Sequence, residues 1–200
     1  MSSLLIKHGT LVSEGREWKS DLLAEDGKIV RIAESIPDGS ADRILDAAAC
    51  YVFPGFIDAH THLDMGTGAT VTADNFSTGT AAALCGGTTT IVDYATQEKG
   101  QTLQQALAIW HKKADGKSSC NYGFHMAVTD WHPEKSGPTS ASNADTPSQL
   151  QAILDEGISS LKVYMAYDNL RLSDREIFEV LCDPTIKKFP SQWVSFHISL

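Results

Sequence analysis

Apolar positions in the first fifty residues come as short runs broken by turn-forming residues. Leu4-Leu5-Ile6, Asp21-Leu22-Leu23-Ala24 and Lys28-Ile29-Val30-Arg31-Ile32 are brief apolar or alternating runs, a strand signature. Ser13-Glu14-Gly15 and Glu25-Asp26-Gly27 punctuate them, and Pro37-Asp38-Gly39-Ser40 turns the chain before Arg43-Ile44-Leu45-Asp46. The pattern predicts a small β-structure of meander type.

From Tyr51 onward the pattern alternates between strand and helix. The run from Tyr51 to His60 enters a Gly/Thr-rich loop over 65–71, and Asp74 is placed to cap a helix over 75–84 that Gly86-Gly87 closes. Thr88-Thr89-Thr90-Ile91-Val92-Asp93-Tyr94 is β-branched and strand-like. Thr102 then precedes Leu103, Ala106, Leu107, Trp110 and Ala114, which share one helix face. A third strand is expected over 120–129, followed by a long polar loop over 131–145. Thr146-Pro147 opens a helix that Gly157 closes, and a fourth strand covers 159–166. Ser173-Asp174-Arg175-Glu176 is a capping-box pattern ahead of Ile177, Phe178, Val180 and Leu181. Pro184 and Pro190 interrupt the chain after this helix, and 194–198 reads as a fifth strand at a raw edge. Four strand–helix units in series predict parallel strands with right-handed crossovers. An open doubly wound sheet and half a barrel both satisfy that count.

Composition narrows the function classes. The 200 residues are 42% hydrophobic and 20% charged, which is ordinary globular usage. The net charge of −9 without a basic run disfavours nucleic acid and anionic membrane as partners. No apolar stretch approaches the roughly 20 residues of a membrane span, and the first residues lack a secretory pattern. Cys50, Cys85, Cys120 and Cys182 stand far apart with no CxxC pair, as expected of reduced thiols in a cytoplasmic protein. A complete (β/α)8 barrel takes about 250 residues, so this length holds at most part of one beside a second domain.

The strongest chemical signal is Asp58-Ala59-His60-Thr61-His62-Leu63-Asp64 at a strand end. Strand side chains alternate faces, so His60 and His62 project to one side and can converge on one divalent cation. Two unrelated polar residues at a strand end would give the same spacing. The second signal is Lys162, within Ser160-Leu161-Lys162-Val163-Tyr164-Met165-Ala166-Tyr167. A lysine on a buried parallel strand is costly as an ammonium, and burial lowers its pKa toward a reactive neutral amine. A lysine snorkelling from the strand end is the alternative. His125 reads as a hydrogen-bonded core histidine, and His8, His111 and His132 as surface or loop residues.

These segments, together with Phe53-Pro54-Gly55-Phe56-Ile57, Thr70-Val71-Thr72-Ala73-Asp74-Asn75-Phe76, Gly86-Gly87-Thr88-Thr89-Thr90 and Tyr122-Gly123-Phe124-His125-Met126-Ala127, resemble the dihydropyrimidinase/D-hydantoinase group of cyclic amidohydrolases. The similarity runs from about Leu4 to about Leu181. It implies an α/β fold: the first half of a (β/α)8 (TIM-type) barrel over 54–200, with about four βα units and a divergent tail from 182. A small β-sandwich segment over 1–53 precedes it. It further implies a hydrolase that opens the cyclic amide of dihydropyrimidines or hydantoins to N-carbamoyl amino acids. In that scheme His60 and His62 bind the more buried of two zinc ions. Lys162 carries a CO2-derived carbamate that bridges both metals, and an anion between dications is paired where an ammonium would be repelled. Tyr167 donates a hydrogen bond to the substrate oxyanion, and the loop over 63–70 forms part of a substrate gate. His197 is the one residue available as the group's fifth-strand ligand. The substrate is a small cyclic diamide, and the group is commonly homotetrameric.

The tail departs from the group's pattern, with Ile198-Ser199-Leu200 where a small residue and Glu-Asn are usual. A later histidine and a metal-binding, proton-shuttling aspartate have no counterpart. The expectation is therefore a truncated, weakly active or inactive chain whose barrel faces lack partners. Dihydroorotase and allantoinase relatives share the HxH start, but Asp64 disfavours the acidic substrate of the former. The non-catalytic collapsin-response mediators share the scaffold without metal ligands, and His60, His62 and Lys162 argue against that role.

Overall fold

The computed structural model describes residues 2–66, 70–132, 146–189 and 194–197, with the side chains of 146, 147 and 194–197 excepted. Contacts divide the chain into two units, Met1–Phe56 and Ile57–Leu200.

The first unit is built on β1 (Ser3–Ser13), which pairs antiparallel with β2 (Arg16–Glu25). In turn β2 pairs antiparallel with β3 (Lys28–Ala33). Thus far it is the expected meander, with a much longer first strand. The expectation fails beyond β3. The next strands, β4 (Arg43–Asp46) and β5 (Tyr51–Val52), return to β1 and pair parallel with it, Leu5 facing Ile44 and Leu11 facing Val52. The crossover is possible because β2 occupies only one edge of β1. Leu5, Leu23 and Ile36 form a small core.

Asp21 ties this unit together. The register shifts between Ile6 and Gly9, and His8 there adopts φ 61°. Asp21 Oδ1 accepts the His8 N–H at 2.9 Å, and Oδ2 accepts the Ile36 N–H at 2.9 Å. These backbone donors, His8 first, hold the Asp21 carboxyl below the usual carboxylate range against the opposing effect of burial. A depressed folded-state pKa contributes stability that is complete above the unfolded value. It is lost as pH falls through the folded one. Acid titration of the full chain should therefore show a destabilising limb below about pH 4. Asp21→Asn should make that limb shallower, monitored by urea midpoint at each pH.

The second unit opens with β6 (Phe56–Thr61), α1 (Phe76–Cys85), β7 (Thr88–Thr96) and α2 (Leu103–Ala114). It continues through β8 (Asn121–Val128), α3 (Thr146–Asp155), β9 (Leu161–Tyr164), α4 (Asp174–Cys182) and β10 (Val194–His197). The sheet order is β10-β9-β8-β7-β6, each strand laid beside its predecessor. Pairing is parallel from β7 through β10. A doubly wound sheet reverses direction at a switch point; this one does not, and it is the first half of a (β/α)8 barrel.

Alternation sorts each strand into a helix-facing and an inner set. Ile91, Phe124, Met126, Val128, Leu161 and Val163 join Leu107, Trp110, Leu150, Ile153 and Val180 in one core between sheet and helices. Tyr94, Ala127 and Tyr164 form a separate cluster on the inner face.

Helix starts obey local chemistry. Thr102 and Ser173 complete capping boxes with Gln105 and Glu176, as expected. The cap of α1 is Asn75 rather than Asp74. Asp74 is held outside the helix because its carbonyl accepts the Asp64 N–H at 2.9 Å. The fourth strand is shorter than 159–166, because the chain turns after Tyr164 and Tyr167 takes φ 69°. On α4, Ile177 and Val180 are buried while Phe178 and Leu181 are exposed. Residues 67–69 of the expected gate loop, the polar loop over 133–145 and Ile198 lie outside the described residues. Among the described residues no helix is long and apolar enough to cross a membrane.

Candidate active site

His60 is in β6 and His62 just beyond its end, and both point to the inner face. Their ring centroids are 5.1 Å apart. The Asp58 Oδ1 accepts the His60 N–H at 3.0 Å. Lys162, the second residue of β9, is 1% exposed, and its Nζ lies 3.5 Å from His62 Nε2. Strands three positions apart thus deliver the three nitrogen-bearing side chains to one place. They line a cavity of about 330 Å³ together with Met65, Thr72, Tyr164, Tyr167 and Asn169. The strand ends of such barrels are where active sites form.

Tyr94 packs against the histidines and the lysine that line this cavity, and sequence reading did not single it out. Its ring centroid is 4.8 Å from His60, 4.9 Å from His62 and 4.8 Å from His125. Lys162 Nζ stands 4.0 Å over the same ring and 4.6 Å from the Tyr164 ring. Two phenol faces stabilise an ammonium modestly. Burial is the larger effect and pulls the Lys162 pKa down to about 8, with the Asp93 carboxylate acting in the opposite direction. At neutral pH roughly a tenth of this amine is therefore uncharged. Burial likewise pushes the Tyr164 hydroxyl up to about 12, so it stays protonated.

Tyr167 borders the cavity from the turn after β9. Its left-handed backbone is held by its own carbonyl, which accepts the Leu170 and Arg171 N–H groups at 2.8 Å each. Strained backbone of this kind concentrates at functional sites. His197 is placed through its backbone only, opposite Tyr164 in the β9–β10 register.

His125 is hydrogen-bonded as expected: Nδ1 meets Ser160 Oγ, and Nε2 lies 3.0 Å from the Ala59 carbonyl oxygen. It links β6, β8 and the approach to β9. It also borders a second cavity of about 790 Å³, with His60, His111, Phe124 and Ser160. His8 and His132 pair with Asp46 and Asp130, and His111 on α2 packs edge-on against Phe124.

Asp93 is the second residue that sequence reading missed. It is fully buried, and burial raises its pKa against four hydrogen-bond donors that lower it. Its signal was visible as one acid in an otherwise β-branched and apolar strand.

The donor set suits a divalent cation in part. Two imidazoles and a lysine amine offer soft-to-borderline nitrogen ligands. Among the described residues there is no group of three or more His, Cys, Asp or Glu side chains around a common point.

Paired histidines at the end of the first strand and a buried lysine on the fourth mark this half-barrel scaffold. Comparison with known proteins agrees. Residues 51–167 match the model of the Amidohydrolase family. The D-hydantoinase of Geobacillus stearothermophilus is 43% identical over 171 residues, covering 85% of this chain and 34% of that protein. The dihydropyrimidinase of Dictyostelium discoideum is 36% identical over 180 residues, covering 89% of this chain and 34% of that protein. The crystal structure of dihydropyrimidinase from Brevibacillus agri superposes with a TM-score of 0.84 at 40% identity, over 98% of this chain and 40% of that one. The chain belongs to the amidohydrolase family, in its D-hydantoinase/dihydropyrimidinase group. It spans about a third of the length of the curated relatives it matches.

Proposed function

We propose that this chain carries the first metal-binding half of a hydrolase that opens the ring amide of dihydropyrimidines or hydantoins to N-carbamoyl amino acids. The observation that supports it is the convergence of His60, His62 and the Lys162 amine on one cavity beside Tyr167.

His60 and His62 would hold one zinc ion through neutral imidazole. The Lys162 amine, partly neutral at its lowered pKa, has a lone pair able to attack carbon dioxide. Loss of one N–H proton would then leave a carbamate whose single negative charge is shared by two oxygens, so that Lys162 would offer a metal an anionic oxygen ligand. Zinc bound there would act as a Lewis acid and lower the pKa of a water molecule. The Tyr167 side chain lines the same cavity, and its hydroxyl can donate to the oxygen that gains charge as the ring amide is attacked. The Tyr94 and Tyr164 rings, 4.0 and 4.6 Å from the amine, limit water around it. Cytoplasmic residence is supported by four cysteines that are all free thiols.

The test is zinc titration of the full chain in bicarbonate buffer, with hydantoin and 5,6-dihydrouracil as substrates. We expect at least about one zinc per chain, since deprotonated ligands already in place favour binding, and none retained after His60→Ala with His62→Ala. Equal zinc uptake by the double variant would overturn the reading.

A further inference from the structure

We infer that Asp93 is a positioning residue that holds His62 at the metal site by clamping the backbone and side chain on either side of it. The inference rests on the metal-site reading of His60 and His62 given above.

Asp93 lies on the helix-facing side of β7, behind the cavity. Its Oδ2 accepts the Thr61 hydroxyl at 2.9 Å and the Leu63 N–H at 2.7 Å. Its Oδ1 accepts the Tyr94 N–H at 2.7 Å and the Trp110 indole N–H at 3.1 Å. Thr61 and Leu63 are the immediate neighbours of His62, so one buried oxygen fixes the segment before and after the imidazole. Helix α2 completes the grip. Lys113 Nζ donates to the Asp64 carbonyl at 2.6 Å and stands 4.1 Å over the Trp110 ring. Leu63 itself packs over Gly79, where an added Cβ would come 2.5 Å from Leu63 Cδ2. Positions 61, 63 and 64 are therefore anchored from behind while 62 faces the cavity.

A carboxylate with no exposed surface is an expensive choice for a purely structural bracket, because burial disfavours its charge. The benefit lies in its geometry. Only a carboxylate accepts on both oxygens, and both are used twice. Asparagine keeps the shape but presents N–H groups to one donor pair, which breaks two bonds at once. Partners that orient metal ligands are typically worth about 10–100-fold in metal affinity.

The experiment compares the full chain with Asp93→Asn, Thr61→Val and Trp110→Phe, using zinc alone as the probe in constant bicarbonate. Affinity comes from calorimetry, ligand geometry from the visible spectrum of a cobalt-substituted sample, and stability from the metal-free thermal midpoint. Thr61→Val removes a donor on the His62 side, while Trp110→Phe removes one on the far oxygen. Expected is an affinity loss of about tenfold or more with an altered cobalt spectrum for Asp93→Asn and Thr61→Val. Trp110→Phe should lower the midpoint but hold affinity within about twofold. If Asp93→Asn does not fold, the Thr61→Val and Trp110→Phe pair decides alone. Equal affinity in all, or an equal fall in Thr61→Val and Trp110→Phe, overturns the role of Asp93 while wild-type zinc binding stands. Absence of zinc binding by the wild type overturns the metal site and this role with it.

Discussion

Lys162→Met is expected to make the metal-free protein more stable by about 1–3 kcal/mol while abolishing its carbamate-dependent zinc binding. The two effects have one cause. Lys162 is 1% exposed, and its ammonium is surrounded by Tyr94, Tyr164 and the His62 edge, so folding strips it of water with only partial return. The lowered pKa of about 8 expresses that deficit. Methionine is close in volume and unbranched, so the core keeps its packing without the desolvated charge. Urea unfolding and zinc calorimetry on the same two proteins measure both halves. A destabilised Lys162→Met would mean that the amine is better satisfied than its surroundings imply.

The second large effect is expected at Phe76. It begins α1, is fully buried, and meets Tyr122 and Phe124 edge-on at 6.3 and 6.2 Å. Those partners belong to β8, so this ring pins the first helix to the sheet beyond its neighbouring strand. Phe76→Ala should cost about 3–5 kcal/mol through lost burial and the cavity left behind. The urea midpoint should fall with the slope unchanged. Phe178→Ala, at a ring 66% exposed, is the matched control and should change stability by less than about 0.5 kcal/mol. Equal losses at the two sites would contradict the packing described.

Which features could be read in the sequence depended on how far apart the interacting residues lie. The capping boxes at Thr102 and Ser173 were readable because donor and acceptor are three residues apart. The choice between Asp74 and Asn75 was not, since both side chains can cap and the deciding bond comes from Asp64. The paired histidines and Lys162 stood out because such residues are unusual on apolar strands, and the structure brings them together. Tyr94 stayed hidden because a tyrosine in a strand is ordinary; only the fold places its ring beneath three imidazoles and an amine. The parallel return of β4 and β5 to β1 was equally invisible, because turn residues specify local reversals and not the edge to which a later segment goes back. Counting strand–helix units left half a barrel and a doubly wound sheet both open; the resemblance pointed to the barrel, and the strand order agrees.

Asp93 and Tyr94 are adjacent in sequence yet serve opposite sides of the same strand. Because side chains switch sides at every step, slipping β7 by a single position against its neighbours would trade their places. A phenol would be driven into the packed layer behind the sheet, and a carboxylate would enter the basin beneath Lys162, where it could neutralise the amine as a simple ion pair. Correct alignment of this one strand therefore separates a lysine available for chemistry from one locked into a salt link.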